Sequence, residues 1–126
     1  MPHDDRNMLE VLRDELNFVT KGGYRRSPRD PWRATLALED SPTCMNYDIK
    51  ANPAPCGECL LMQFVPADKL GEKVPCRHIP ITPRGETLLQ LYRGATEEQI
   101  DETLTNWLNR EIAKLENEEL AAAPSV

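Results

Sequence analysis

Four thiols, Cys44, Cys56, Cys59 and Cys76, are the side chains of this chain best suited to chemistry, and all lie in its middle third. Eleven residues separate Cys44 from Cys56, two separate Cys56 from Cys59, and sixteen separate Cys59 from Cys76. A Cys-x-x-Cys pair offers two thiolates about one turn apart, which suits two corners of a tetrahedron. Four thiolates also satisfy zinc's preference for closed, four-coordinate shells in structural sites. The gap to Cys76 falls within the range of zinc ribbons, with one departure: the fourth cysteine stands alone upstream, where a ribbon carries a second close pair. His78 is an alternate ligand, or a hydrogen-bond partner of one, because residues two apart in an extended segment point to the same side.

Two other uses of the thiols compete with one bound Zn2+. An iron–sulfur cluster also takes four cysteine thiolates, although neither the clustered bacterial spacing nor the plant-type spacing of ferredoxins is present. Alternatively, Cys56-Gly-Glu-Cys59 resembles a redox pair at a helix start, where the helix N-terminus lowers a thiol's pKa. No βαβ pattern surrounds it, as such a motif would require, and Cys44 and Cys76 would then be idle.

The elements that must position the thiols are unevenly built. Nine of the 11 prolines lie between Pro28 and Pro83. Each fixes φ and removes a backbone donor, which disfavours long helices and central strands there. A metal would staple such a segment, contributing roughly 10–16 kcal/mol by analogy with zinc-finger peptides. On either side the pattern is helical. Met8, Leu12, Leu16 and Val19, widened by Leu9 and Val11, predict an amphipathic helix from Asp5 to Lys21, capped by Asp4 or Asp5 and stopped at Gly22-Gly23. Glu86 to Arg93 predicts a short helix ended by Gly94. Thr96-Glu-Glu-Gln99 has the form of a capping box. It opens a longer helix with Ile100, Leu104, Trp107, Leu108, Ile112 and Leu115 on one face.

Between the helices the pattern predicts short extended pieces. Arg33 to Glu39 and Asn46 to Lys50 read as two strands, Leu60 to Val65 as a strand or one to two helical turns, and Val74 to Thr82 as extended chain. The expected class is therefore α+β: a proline-rich, metal-stapled centre with short strands, flanked by an N-terminal helix and a longer C-terminal amphipathic helix. The expected divisions of this single compact domain are an N-terminal helix at 1–23, a cysteine-bearing module at 24–83, a helical segment at 84–120 and a disordered tail at 121–126.

The formal charge is −6 at pH 7, which argues against a protein that is mainly a nucleic-acid binder. One stretch runs the other way. A basic arm at 24–33 carries Tyr24, Arg25, Arg26, Arg29, Trp32 and Arg33 against one acid, Asp30. Arginine with interleaved aromatics can grip phosphates and stack on bases. Equally, the arm's arginines can pair with the protein's own C-terminal helix, which has eight acids and two bases from Glu97 to Glu119. The apolar stripe of that helix is expected to pack on the N-terminal helix, with a homodimer seam as the alternative.

No apolar run approaches the ~18–20 residues that cross a bilayer, and the acidic N-terminus precedes no signal-peptide core. A cytoplasmic, non-enzymatic, zinc-binding adaptor or regulatory protein is the expectation, presenting its centre and basic arm to a macromolecular partner. No catalytic constellation is present. His3 and His78 are the only histidines, there is no nucleotide-binding or nucleophile motif, and four thiolates leave zinc no open position.

Overall fold

The computed structural model describes residues 6–25, 36–47 and 55–122. Helix α1 spans Met8–Thr20. Its cap is Asn7, whose side chain accepts a hydrogen bond from the Glu10 N–H; Asp4 and Asp5 lie outside the described residues. The helix stops at the glycines for a geometric reason. Gly22 takes a φ of 81°, its N–H donates to the Val19 carbonyl, and the Gly23 N–H donates to the Phe18 carbonyl. These are the paired bonds of a Schellman ending. A Cβ at Gly23 would lie 2.5 Å from the Phe18 ring.

The chain then reaches a loop of consecutive turns over residues 36–47 and four 3₁₀ helices at Cys56–Glu58, Leu60–Phe64, Ala67–Lys69 and Pro75–His78. Helix α2, Leu88–Leu91, opens with a capping box between Thr87 and Gln90. Helix α3, Glu97–Ala122, is 26 residues long, about 39 Å at 1.5 Å per residue. The Thr96 N–H donates to Gln99 Oε1 and the Gln99 N–H to Thr96 Oγ1, the reciprocal bonds expected of that box.

The α+β expectation fails: among the described residues there is no strand, only one isolated antiparallel bridge between Pro80 and Thr87. The described part of the Arg33–Glu39 segment is a tight turn. The Asp40 N–H donates to the Leu36 carbonyl, and Leu38 has a φ of 68°, which is incompatible with a strand. Asn46 and Tyr47 are also turn residues, and 48–50 lie outside the described residues. Prolines account for much of the rest. Pro75 begins a 3₁₀ helix, where a fixed φ near −65° preorganises the first turn, while Pro55 and Pro66 stand as N-caps just before two others. Val74 keeps the extended φ of −128° that a following proline favours, but the chain turns immediately after it.

Helices α1 and α3 pack together and supply about half of the buried residues of one continuous core. Leu12, Leu104 and Leu108 are fully buried in it, joined by Leu61, Ile79 and Ile81 from the intervening 3₁₀ region and by Leu88 of α2. The Phe64 ring meets Trp107 of α3 edge-on, with centroids 5.0 Å apart, which ties the second 3₁₀ helix to the bundle. The α3 stripe is thus taken up by the protein's own core, with Ile100 and Leu115 at its half-buried ends. No helix among the described residues is long and apolar enough to cross a membrane.

Candidate metal centre

The fold brings the four cysteines to one place. Cys44, from the 36–47 loop, and Cys56, Cys59 and Cys76, from the 3₁₀ region, line a single cavity of about 30 Å³ with Leu38, Met45, Asn46, Leu61 and Met62. Each cysteine is half-buried and none is in a disulfide. Local chemistry explains how they get there. The Cys59 N–H donates to the Cys56 carbonyl at 3.0 Å and closes a single tight turn. Cys76 follows the turn-setting Pro75, and the N–H of Cys44 donates to the Ser41 carbonyl at 3.1 Å.

The cavity suits an ion and not a large body, since about 30 Å³ is near the share of one water molecule in the liquid. Its wall combines thiols, thioethers and aliphatic groups, and Asn46 is the polar exception. The thiols share the cavity without meeting as ligands: among the described residues, no three or more His, Cys, Asp or Glu side chains stand in an arrangement that could hold a metal ion. Between Cys56 and Cys59, Glu58 Oε2 is buried with no hydrogen-bond partner, a costly position for a carboxylate oxygen.

Electrostatics at the site are dominated by burial and by anionic neighbours. Burial pushes the Cys76 thiol up to about 12, and the charges of Glu39 and of the other three cysteines add to the shift. The Cys56 thiol is also raised, by burial first and then by Cys44 and Glu39. This is the reverse of the lowered pKa that marks a reactive redox thiol, and the three-residue turn at Cys56–Glu58 supplies no helix N-terminus of useful length. Of the basic residues near the cysteines in sequence, Arg77 is committed elsewhere: it makes two hydrogen bonds of 2.9 Å to Glu39.

His78 is half-buried and is not among the residues lining the cavity. The same-side argument made for it fails, because Pro75–His78 is a 3₁₀ turn. At about three residues per turn, His78 stands roughly 120° around the axis from Cys76.

The basic arm is only partly described. Arg26, Arg29, Trp32 and Arg33 lie outside the described residues. Arg25 is exposed, and its charge favours ionisation of Asp101 in α3, against the burial and Glu97 repulsion that raise that carboxyl. Tyr24 is not a surface for stacking bases. It is a core residue, 6% exposed, with its ring edge-on to Phe18 at 5.0 Å and its hydroxyl donating to Glu15.

Glu15 is the functional-looking residue that the sequence reading passed over. It is fully buried and accepts hydrogen bonds from the hydroxyls of Tyr24 and Ser41, with Thr43 also contributing. Burial raises its pKa, opposed by those hydrogen bonds. A signal was present in the sequence. Position 15 lies three residues after Leu12 and four before Val19, on the core-facing stripe, where an acid is out of place.

No protein-family model matches the chain, and no curated protein or solved structure matches it.

Proposed function

We propose that Cys44, Cys56, Cys59 and Cys76 bind one Zn2+ and that the protein is a non-enzymatic adaptor or regulator of the cytoplasm. The observation that carries this reading is the shared cavity: four cysteines spread over thirty-three positions of sequence line one small space. A closed four-thiolate shell leaves no position for substrate, so the ion's role is architectural. It would staple the loop at 36–47 to the turns at 55–79 and so fix the surface they present. A protein partner, contacted through this centre and the arm at 24–33, is the favoured consumer of that surface.

Metal analysis with a thiol count on anaerobically purified protein tests the reading. One zinc per chain, with thiols unreactive until a chelator is added, supports it. Iron with acid-labile sulfide would replace it with the iron–sulfur reading. For the partner, capture by wild-type protein should be lost on Arg25→Glu, Arg26→Glu, Arg29→Glu charge reversal. Recovery of RNA or DNA in place of protein would make the arm a nucleic-acid contact.

A further inference from the structure

Cys44 is the cysteine that reaches the cavity from outside the 3₁₀ region, on a loop with no helix or strand to hold it. Arg6 donates to the Thr43 carbonyl, the Ala37 N–H donates to the Tyr92 hydroxyl, and Arg77 holds Glu39. The buried hydrogen bonds nearest Cys44, however, run back to one residue on α1, Glu15. Ser41 is fully buried. Its hydroxyl donates to Glu15 Oε1 at 2.7 Å and accepts from the Thr43 N–H at 3.1 Å. Its carbonyl accepts from the Cys44 N–H at 3.1 Å. On the other side of the loop, the Tyr24 hydroxyl that donates to Glu15 also accepts from the Leu38 N–H at 2.8 Å. Leu38 and Cys44 both line the cysteine cavity, and both are therefore anchored through the Glu15 carboxylate.

Stability alone does not account for an acid at this position. Withdrawing a carboxylate from water is expensive even when it is hydrogen-bonded, and an aliphatic side chain on the α1 stripe would avoid that cost. What an aliphatic group cannot do is receive several hydroxyl donors at once. We propose that Glu15 is a positioning residue for the metal site, acting through Ser41 to hold Cys44 in the ligand set and so setting the site's metal affinity from α1. This inference rests on the reading that the cysteines bind zinc.

The test compares wild type with Glu15→Gln, Ser41→Ala and Cys44→Ser. Zinc affinity is read by competition with a chromophoric chelator, and the ligand set by the thiolate-to-metal absorption of the cobalt(II)-loaded protein. Loss of a group that orients a ligand typically weakens metal binding about 10–100-fold, and that range is expected for Glu15→Gln and Ser41→Ala. Their cobalt absorption should fall toward that of Cys44→Ser, with the far-ultraviolet helical signal retained. Wild-type affinity and an unchanged cobalt spectrum in both variants would overturn the inference and leave the metal site standing. A wild-type protein that binds neither ion would overturn the underlying reading as well. If Glu15→Gln does not fold, Ser41→Ala decides, because it deletes one hydroxyl and leaves the Glu15–Tyr24 bond in place.

Discussion

Arg77 grips Glu39 with both arms of its guanidinium, Nε to Oε2 and Nη2 to Oε1, at 2.9 Å each. The pair joins the turn bearing Cys76 to the loop bearing Cys44, and both side chains are half-buried. Two parallel charge-assisted bonds are stronger and more directional than a single ammonium contact. Arg77→Ala should lower stability by about 1–2 kcal/mol, with Arg77→Lys restoring less than half. Urea unfolding of the three proteins measures this; equal midpoints would show that the pair is ornamental.

Leu38 combines two opposed effects. A φ of 68° costs a residue with a Cβ roughly 1–2 kcal/mol, while its side chain is 1% exposed and worth about 3–5 kcal/mol on truncation to alanine. Burial wins, so every truncation should destabilise. The order should nonetheless invert the usual one. Leu38→Gly should be at least as stable as Leu38→Ala, because glycine alone sheds the backbone strain. Thermal or urea unfolding of the two variants decides it.

The raised pKa of Glu15 has a pH consequence with a definite sign. Its folded value lies above the ordinary 4.5, so the folded state holds this proton more tightly than the unfolded chain. The associated stability is present below about 4.5 and is lost as pH rises through the folded value. Wild type should therefore lose ground to Glu15→Gln between pH 5 and the folded value when both are unfolded in urea at equal zinc loading. Taking the difference cancels the other titrating groups. A difference that stays flat or moves the other way would contradict the assignment.

On the proposed zinc reading, stripping the metal should loosen the centre before the helices. The segment at 55–79 is built of short 3₁₀ helices and turns, whereas α1 and α3 share an apolar interface of their own. Trp107 reports on this directly, because Phe64 of the second 3₁₀ helix packs edge-on against it. In a Trp32→Phe background, chelation should change the Trp107 near-ultraviolet and fluorescence signals while most far-ultraviolet helicity persists. Unchanged Trp107 signals after verified metal removal would show that the ion has no structural role.

Helix signals were legible because capping is local chemistry. Thr96 with Gln99, and the Gly22-Gly23 ending, can be read from a few neighbouring residues, and the structure forms both. The strands were misread because Leu36 and Leu38 alternate for a different reason: Leu38 reaches the core from a left-handed turn and not from a pleat. The prolines were weighed for what they forbid, when Pro75 also preorganises the 3₁₀ turn it begins and Pro55 and Pro66 mark the starts of two more. Tyr24 was grouped with its basic neighbours, although its partner Glu15, nine residues earlier, draws it inward. That pairing depends on a loop from residues 36–47 closing over α1, which no local pattern announces. The spacing supported the expectation that the four cysteines meet at one ion; they line one cavity, but among the described residues they do not stand as a ligand set.

The central claim, four sulfurs around one ion, is tested most directly by X-ray absorption at the zinc edge of the loaded, anaerobic protein. The account predicts a shell of four sulfur scatterers at about 2.3 Å, falling to three in Cys44→Ser. A shell dominated by nitrogen or oxygen, or one unchanged by Cys44→Ser, would contradict it.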